Sequence, residues 1–331
     1  MRKILSLACT SLAFFHTNTP FWFPLVPKST IMNTSTRPKK AIFFSEPLVI
    51  YKKDSDYIIH SDVCPHQGAS LSKGWITSEG HLQCPYHGFE FDKGCFCKIP
   101  NPLDKNVKKF KSRTKLTTFL QHTENDFLYL TNSNETVIDV FFPPEEYDNA
   151  FRGISGFSVI PVNYKSVCEN LLDMLHISYV HSFGSTETPL PNSIKFQQLN
   201  EYHGRTTFSY APNKNTISGI VGKVKEVFVE NEYILPTNTI TRVFAGDTIK
   251  TVFTRSVPIS ENETLLYWKI YRNFWRHPFF DILISKLMKQ TVKEDVGILK
   301  ALYPHSRCGP IRTKYDVTIQ NFRKAIQHYQ M

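Results

Sequence analysis

The sequence predicts an α+β protein of two domains, an all-β N-terminal part followed by an antiparallel sheet flanked by helices. Three observations carry this. Short alternating apolar and polar runs, punctuated by Gly and polar turns, extend from Ala41 to Leu130. After the joint at Phe142-Pro143-Pro144 the alternation resumes in six longer runs. Two stretches with helical apolar spacing, 166–183 and 280–302, bracket those runs. At 331 residues the chain has room for two cores. The expected division is an apolar leader or presequence at 1–20, a first domain at 21–135 and a second at 136–331.

The start, MRKILSLACTSLAFF, couples a basic end to an apolar run too short for a confident membrane span. No acidic residue precedes Glu46, and Ser and Thr are frequent, as in an organelle presequence. Phe21-Trp22-Phe23-Pro24 reads as the first ordered segment. AIFFSEPLVIYKKDSDY, from Ala41 to Tyr57, reads as two strands with a turn at Asp54-Ser55-Asp56. FEFDKGCFCKIP gives two more strands around Asp92-Lys93-Gly94, and LTTFLQHTENDFLYL closes the sheet. In the second domain, NSIKFQQL, GRTTFSYA, KVKEVFVENEYILP, NTITRVFA, DTIKTVFTRSV and ETLLYWKIYRNF each alternate as antiparallel strands should. The tail IRTKYDVTIQNFRKAIQHY supplies one more strand and a helix.

The first domain holds Cys64-Pro-His66 and Cys84-Pro-Tyr-His87, spaced C-x-H-x17-C-x2-H. Two thiolates and two imidazoles can hold zinc. They can also hold a two-iron cluster, with the thiolates on one iron and the imidazoles on the other. Each short loop offers one Cys and one His and is followed by a turn-forming Gly, Gly68 or Gly88, whereas zinc fingers tend to pair like with like. The loops CPHQG and CPYHG closely resemble those of Rieske oxygenases. Neither contains the additional Cys of the electron-chain Rieske proteins, which implies the lower-potential, oxygenase-type [2Fe-2S] cluster. Cys95 and Cys97, just downstream, read as free thiols.

The second domain opens with VCENLLDMLHISYVHSFG, 167–184, read as a helix ending at Gly184. Asp173 and His176 share a face, but His181 lies about 140° round from His176 on an ideal helix. The two imidazoles converge on one metal only if the helix loosens or ends between them. The pattern N-x2-D-x2-H-x4-H, from Asn170 to His181, resembles the mononuclear iron motif of Rieske oxygenases. A facial triad needs one carboxylate more, and KLMKQTVKEDVGILKAL offers Glu294 and Asp295. Its E-D-x-x-x-L segment resembles the family's third-ligand helix, which implies Asp295 as the ligand with Glu294 as the fallback.

The resemblance spans Phe21 to about His328. It implies a helix-grip (Bet v 1/START-like) catalytic domain, with Cys64, His66, Cys84 and His87 holding the cluster. His176, His181 and Asp295 would hold a mononuclear Fe(II). The Asp173 position bridges an iron His to a cluster His of a neighbouring subunit, implying a homotrimer, and Asn170 resembles a position near the iron. FWFP, CPHQGASLSKG, LQCPYHGFEFD and KIPN are most similar to the branch containing the chlorophyllide a and pheophorbide a oxygenases. The implied activity is O2-dependent oxygenation of an apolar ring compound, a chlorophyll-type tetrapyrrole first, with a sterol or aromatic-ring monooxygenase or a non-catalytic electron carrier as alternatives. That branch also implies a plastid, with the cytoplasm as the alternative, and it carries a hydrophobic C-terminal anchor that this sequence does not show.

Composition adds limits. Seven Cys, two of them in the first motif, do not make a disulfide scaffold. The net charge of +10 comes with no nucleic-acid motif. Lys105, Lys108, Lys109, Lys111, Arg113 and Lys115 form a basic run that suits docking of an acidic electron donor such as a ferredoxin.

Overall fold

The computed structural model describes residues 19–32, 34–100, 114–131, 133, 138–182, 184, 189–211, 224–302, 310–329 and 331. The leader expected at 1–20 and the basic run lie largely outside them, apart from Thr19, Pro20 and Lys115. The chain divides into two compact units, Met1–Val140 and Phe141–Met331.

In the first unit, β1 (Phe23–Pro27), β2 (Lys39–Phe43), β3 (Glu46–Lys53), β4 (Asp56–Ser61), β9 (Thr118–Glu124) and β10 (Phe127–Thr131) form a six-stranded sheet in the order β1-β10-β9-β4-β3-β2. A second sheet orders β5 (Trp75–Ile76), β6 (Leu82–Gln83), β7 (Glu90–Asp92) and β8 (Cys95–Lys98) consecutively. The expected two strands over 41–57 are in fact parts of three. The missed turn is Phe44-Ser45, whose φ values of 47° and 69° put both central residues in the left-handed region. Phe there contradicts turn preference, and packing against Phe43 at a 4.8 Å ring separation holds it. Lys93-Gly94 makes the equivalent turn with conventional chemistry. Cys64, Cys84, Leu71, Leu82, Phe91 and Phe96 belong to one buried cluster, so both motif cysteines are core residues.

In the second unit seven antiparallel strands run β11 (Arg152–Ile160), β17 (Glu263–Arg272), β16 (Thr248–Ser260), β15 (Asn238–Ala245), β14 (Val227–Ile234), β13 (His203–Tyr210) and β12 (Asn192–Asn200) across the sheet. Six match the expected runs. The seventh, β11, has the sequence RGISGFSVI, whose glycines obscure its period. Gly156 has a packing reason: a Cβ there would lie 2.4 Å from the Trp268 ring. The helices are α1 (Tyr164–Leu172), α2 (Ile177–Val180), α3 (Phe279–Leu299) and α4 (Val317–His328). No strand forms in the described tail, where Thr313 and Asp316 make a capping box that starts a short 3-10 turn leading into α4. Among the described residues no helix is long and apolar enough to cross a membrane.

Helix α3 docks on the sheet through Ile284, Met288, Val292 and Leu299, packed with Val252, Leu266, Trp268 and Ile270. Its N-terminal end is fixed by Asp281, which receives Arg152 Nη2 at 2.6 Å and Arg272 Nη2 at 2.5 Å. The two guanidiniums hold the Asp281 carboxyl down at about 2. A carboxyl depressed in the folded state stabilises the fold above its unfolded value and loses that contribution as pH falls through the folded one. Asp281→Asn is therefore expected to cost about 2 kcal/mol at neutral pH, by leaving buried Arg272 without its counter-ion. Urea denaturation from pH 7 down to pH 2 will show that difference intact above about pH 4 and shrinking below it. Gly156→Ala is expected to cost about 1–3 kcal/mol by overpacking against Trp268, read as a lower urea midpoint.

Candidate metal centres

Two loops of the first unit have one construction. After β4, Cys64 N–H donates to Ala69 O at 2.9 Å and Gly68 N–H to Cys64 O at 2.8 Å. After β6, Cys84 N–H donates to Phe89 O at 2.8 Å and Gly88 N–H to Cys84 O at 3.1 Å. Gly68 and Gly88 close these loops at φ of 73° and 68°, a region that costs other residues dearly. Both thiols are buried, and His66 and His87 are exposed with ring centroids 4.8 Å apart. The structure thus brings together all four residues expected to hold a cluster, thiols inward and imidazoles outward.

Burial, with the neighbouring Cys84 thiol, pushes the Cys64 thiol up to about 11, against the pull of the His66 and Gln67 backbone N–H groups. A metal overcomes this, because coordination deprotonates the thiol. The donor set fits a Rieske [2Fe-2S] cluster, which needs two thiolates on one iron and two imidazoles on the other.

The loops have supports that the sequence does not advertise. Asp62 accepts from Ser70 Oγ at 2.5 Å, Ser72 N–H at 2.5 Å and Ser72 Oγ at 2.8 Å, tying down the first loop. Gln83 Nε2 donates to Gly88 O at 3.3 Å and to Glu90 Oε1 at 3.2 Å, tying down the second. His81, Glu90 and Cys97 form a further group. His81 Nδ1 lies 3.0 Å from Glu90 Oε2, and Lys98 Nζ lies 3.5 Å from Glu90 Oε1. A cation is already close to that carboxylate. Cys95 is exposed and Cys97 half-buried, neither in a disulfide.

In the second unit the single helix expected over 166–183 is broken. Helix α1 ends at Leu172, and Asp173 turns to an extended conformation with ψ of 125°. Asp173 Oδ1 takes the Leu175 N–H at 2.8 Å, a local bond that competes with the helix ladder. The chain then re-enters α2, flanked by His176 and His181. This break brings together two imidazoles that a continuous helix would splay. Their Nε2 atoms face each other at 3.1 Å.

Each ring is oriented from behind. His176 Nδ1–H donates to Asp173 O at 3.0 Å, and His181 Nδ1–H to Glu294 Oε2 at 3.1 Å. Both bonds fix the tautomer that leaves Nε2 as an acceptor. The facing atoms are therefore two lone pairs, which repel unless a cation lies between them.

Asp295 completes the group. It lies on the same stripe of α3 as Ile284, Met288, Val292 and Leu299, so helix docking carries it into the core. Those four apolar side chains contribute about 2 kcal/mol each, which offsets the several kcal/mol that burying a carboxylate costs. Asp295 Oδ1 is buried without a hydrogen-bond donor, 3.4 Å from both Nε2 atoms. Glu294, one residue back, faces His181 Nδ1 and Ser182 N–H instead. Electrostatics record the crowding. Burial lowers the charged form of both rings, yet Asp295 and Asp173 leave His176 raised while His181 is lowered.

The set of His176, His181 and Asp295 fits a first-row divalent ion. Adjacent ligands about 2.1 Å from a metal stand about 3 Å apart, and two imidazoles with one carboxylate are the facial triad of non-haem Fe(II). Asn170 is half-buried in the last turn of α1, its carbonyl accepting from Asp173 N–H at 3.2 Å. No hydrogen bond joins its side chain to the triad among the described residues. The carboxylate of Asp173 lies 3.9 Å from His176 Nδ1, so its backbone carbonyl orients that ring.

Comparison with known proteins agrees with this architecture. Residues 21–111 match the Rieske [2Fe-2S] domain and residues 160–329 the vanillate O-demethylase oxygenase C-terminal domain. The chain belongs to the Rieske oxygenases, whose Rieske domain binds a [2Fe-2S] cluster and whose catalytic site uses mononuclear iron. Members of the family are oxidoreductases that use O2.

The chain is 31% identical over 151 residues to the oxygenase component of dicamba O-demethylase from Stenotrophomonas maltophilia, covering 44% of this chain and 43% of that protein. It is 29% identical over 197 residues to the chloroplastic chlorophyllide a oxygenase of Chlamydomonas reinhardtii, covering 53% and 26% respectively. These alignments span less than half of each curated relative. In fold it is similar to dicamba monooxygenase bound to dicamba, with a TM-score of 0.75 at 18% identity over 94% of this chain and 97% of that one.

Glu294→Ala is expected to release the His181 ring and lower iron affinity of this centre about 10–100-fold, with the Rieske cluster unaffected. Iron retained against a graded chelator, with the Rieske visible spectrum as internal control, measures it.

Proposed function

We propose that this protein is a Rieske-type oxygenase in which Cys64, His66, Cys84 and His87 hold the [2Fe-2S] cluster and His176, His181 and Asp295 hold Fe(II). The observation that carries the reading is the convergence of three ligand atoms, two Nε2 at 3.1 Å and a buried Oδ1 3.4 Å from each. When bound, the cluster supplies single electrons and the iron supplies O2 activation. The chain's own residues do the rest. Glu294 and the Asp173 carbonyl keep both imidazoles in the Nε2-acceptor form. Met174, Phe208, Val227, Val229 and Ala245 form a buried apolar cluster that anchors the chain two residues before His176.

For the substrate we favour a chlorophyll-type tetrapyrrole, chlorophyllide a or pheophorbide a. Similarity to chlorophyllide a oxygenase and the loop sequences named above support this, and they favour a plastid setting with ferredoxin as donor. Similarity to dicamba O-demethylase supports the second reading, an aromatic-ring monooxygenase. Asp173 has a carboxylate one-third exposed beside His176, and we assign it the electron bridge to a neighbouring subunit's cluster in a homotrimer. Asn170 is assigned a supporting place near the iron.

Reconstituted wild type is expected to hold three irons per chain. Asp295→Ala is expected to hold two, keep its Rieske EPR signal after dithionite, and lose O2 uptake. Three irons in Asp295→Ala would overturn the ligand assignment. Asp173→Asn, whose amide oxygen can still accept from Leu175 N–H, is expected to keep all three irons and lose turnover by about a hundredfold or more, because it removes the carboxylate of the path and neither a ligand nor the helix break. Undiminished product formation in that variant would exclude the bridge.

A further inference from the structure

The helix-facing side of the second sheet carries a row of register neighbours, Val229, Val243, Lys250, Arg272 and Arg152, drawn from five adjacent strands. Residues paired directly across strands share a face, so Lys250 points the same way as Val243 and Arg272. Its neighbours on that face belong to two apolar clusters. Val243 packs against the cluster that includes Met174, two residues before His176. Val252, two residues along β16 from Lys250, packs against the cluster that includes Val292, three residues before Asp295. Lys250 therefore stands on the sheet between the apolar cluster that holds Met174 and the one that holds Val292.

The charge on this row is out of balance. Among the described residues no hydrogen bond or ion pair joins the Lys250 ammonium to any group. Desolvation alone lowers its ionisation from the usual lysine value. Beside it, Arg272 and Arg152 share one carboxylate, Asp281, and Arg272 Nη1 is buried without a partner. Among the described residues three cations of this row thus face one anion. A desolvated ammonium without a counter-ion is costly, and Lys250 is still partly accessible.

We propose that Lys250 anchors the carboxylate of the substrate, so that the site takes ring compounds bearing a free carboxylate in preference to their neutral counterparts. This rests on the proposed oxygenase reading and narrows its substrate class. Sterols and other neutral rings are disfavoured, while pheophorbide a, chlorophyllide a and aromatic acids share the required group. A charge-assisted hydrogen bond in a low-dielectric pocket orients the ring and leaves its apolar body against apolar side chains.

The test compares each acid with its own methyl ester, using pheophorbide a and vanillate on the iron-loaded full chain. Binding is read by quenching of tryptophan fluorescence, independently of turnover. Wild type is expected to bind at least one acid tenfold or more tighter than its ester. Lys250→Met is expected to bring that ratio close to one by weakening the acid alone, and Lys250→Arg to restore it. Equal affinity for acid and ester in wild type, no binding of either acid, or an unchanged ratio in Lys250→Met would each overturn the anchor. O2 uptake separates this from the parent reading. Uptake without a Lys250-dependent preference removes the anchor and keeps the oxygenase. A Lys250-dependent preference without uptake keeps the anchor and removes the oxygenase.

Discussion

Two imidazole nitrogens aimed at each other across 3.1 Å, with a buried carboxylate oxygen 3.4 Å from both, form an arrangement that repels itself unless a cation lies among them. The rest of the second unit works to maintain it. The carboxylate is forced inward by the apolar stripe of α3, and the stripe is held on the sheet by Trp268, Ile270 and the Arg152–Asp281–Arg272 pairing. The imidazoles are forced together by a helix that stops at Asp173 and are turned inward by bonds at Nδ1. A site that costs folding energy when empty gains most when an ion fills it.

The first unit solves a different problem. Its thiols belong to the core, so their loops are anchored there, while the imidazoles remain exposed. Asp62 and Gln83 provide that rigidity by tying each loop to its own base. Each unit thus places its candidate ligands by elements that are fixed for other reasons.

Legibility in the sequence followed locality. The four residues proposed to hold the cluster are legible because they fall in two short loops whose Cys-His spacing is itself the signal. Six strands of the second sheet were readable because alternation survives along each. Strand β11 was not, since Gly153 and Gly156 interrupt its period, and Gly156 is there to admit Trp268 from a neighbouring strand. The turn at Phe44-Ser45 was hidden because ring packing overrides turn preference. From the sequence the break at Asp173 follows only as a condition for the two imidazoles to converge. Nothing in residues 166–183 alone shows that Asp173 will take the Leu175 N–H from the helix ladder. Asp62, Gln83 and Glu294 act through partners that only the fold supplies, and Lys250 stands out only once its row, without a counter-ion among the described residues, is known.

The central claim is that one iron joins three side chains from two separated segments. Anomalous diffraction at the iron edge, on crystals of the reconstituted protein, tests it most directly. The account predicts a peak within bonding distance of His176 Nε2, His181 Nε2 and Asp295 Oδ1, apart from the peak between the Cys64 and Cys84 loops. Iron at those loops alone, with the three acceptors bridged by a proton or a water, would contradict it.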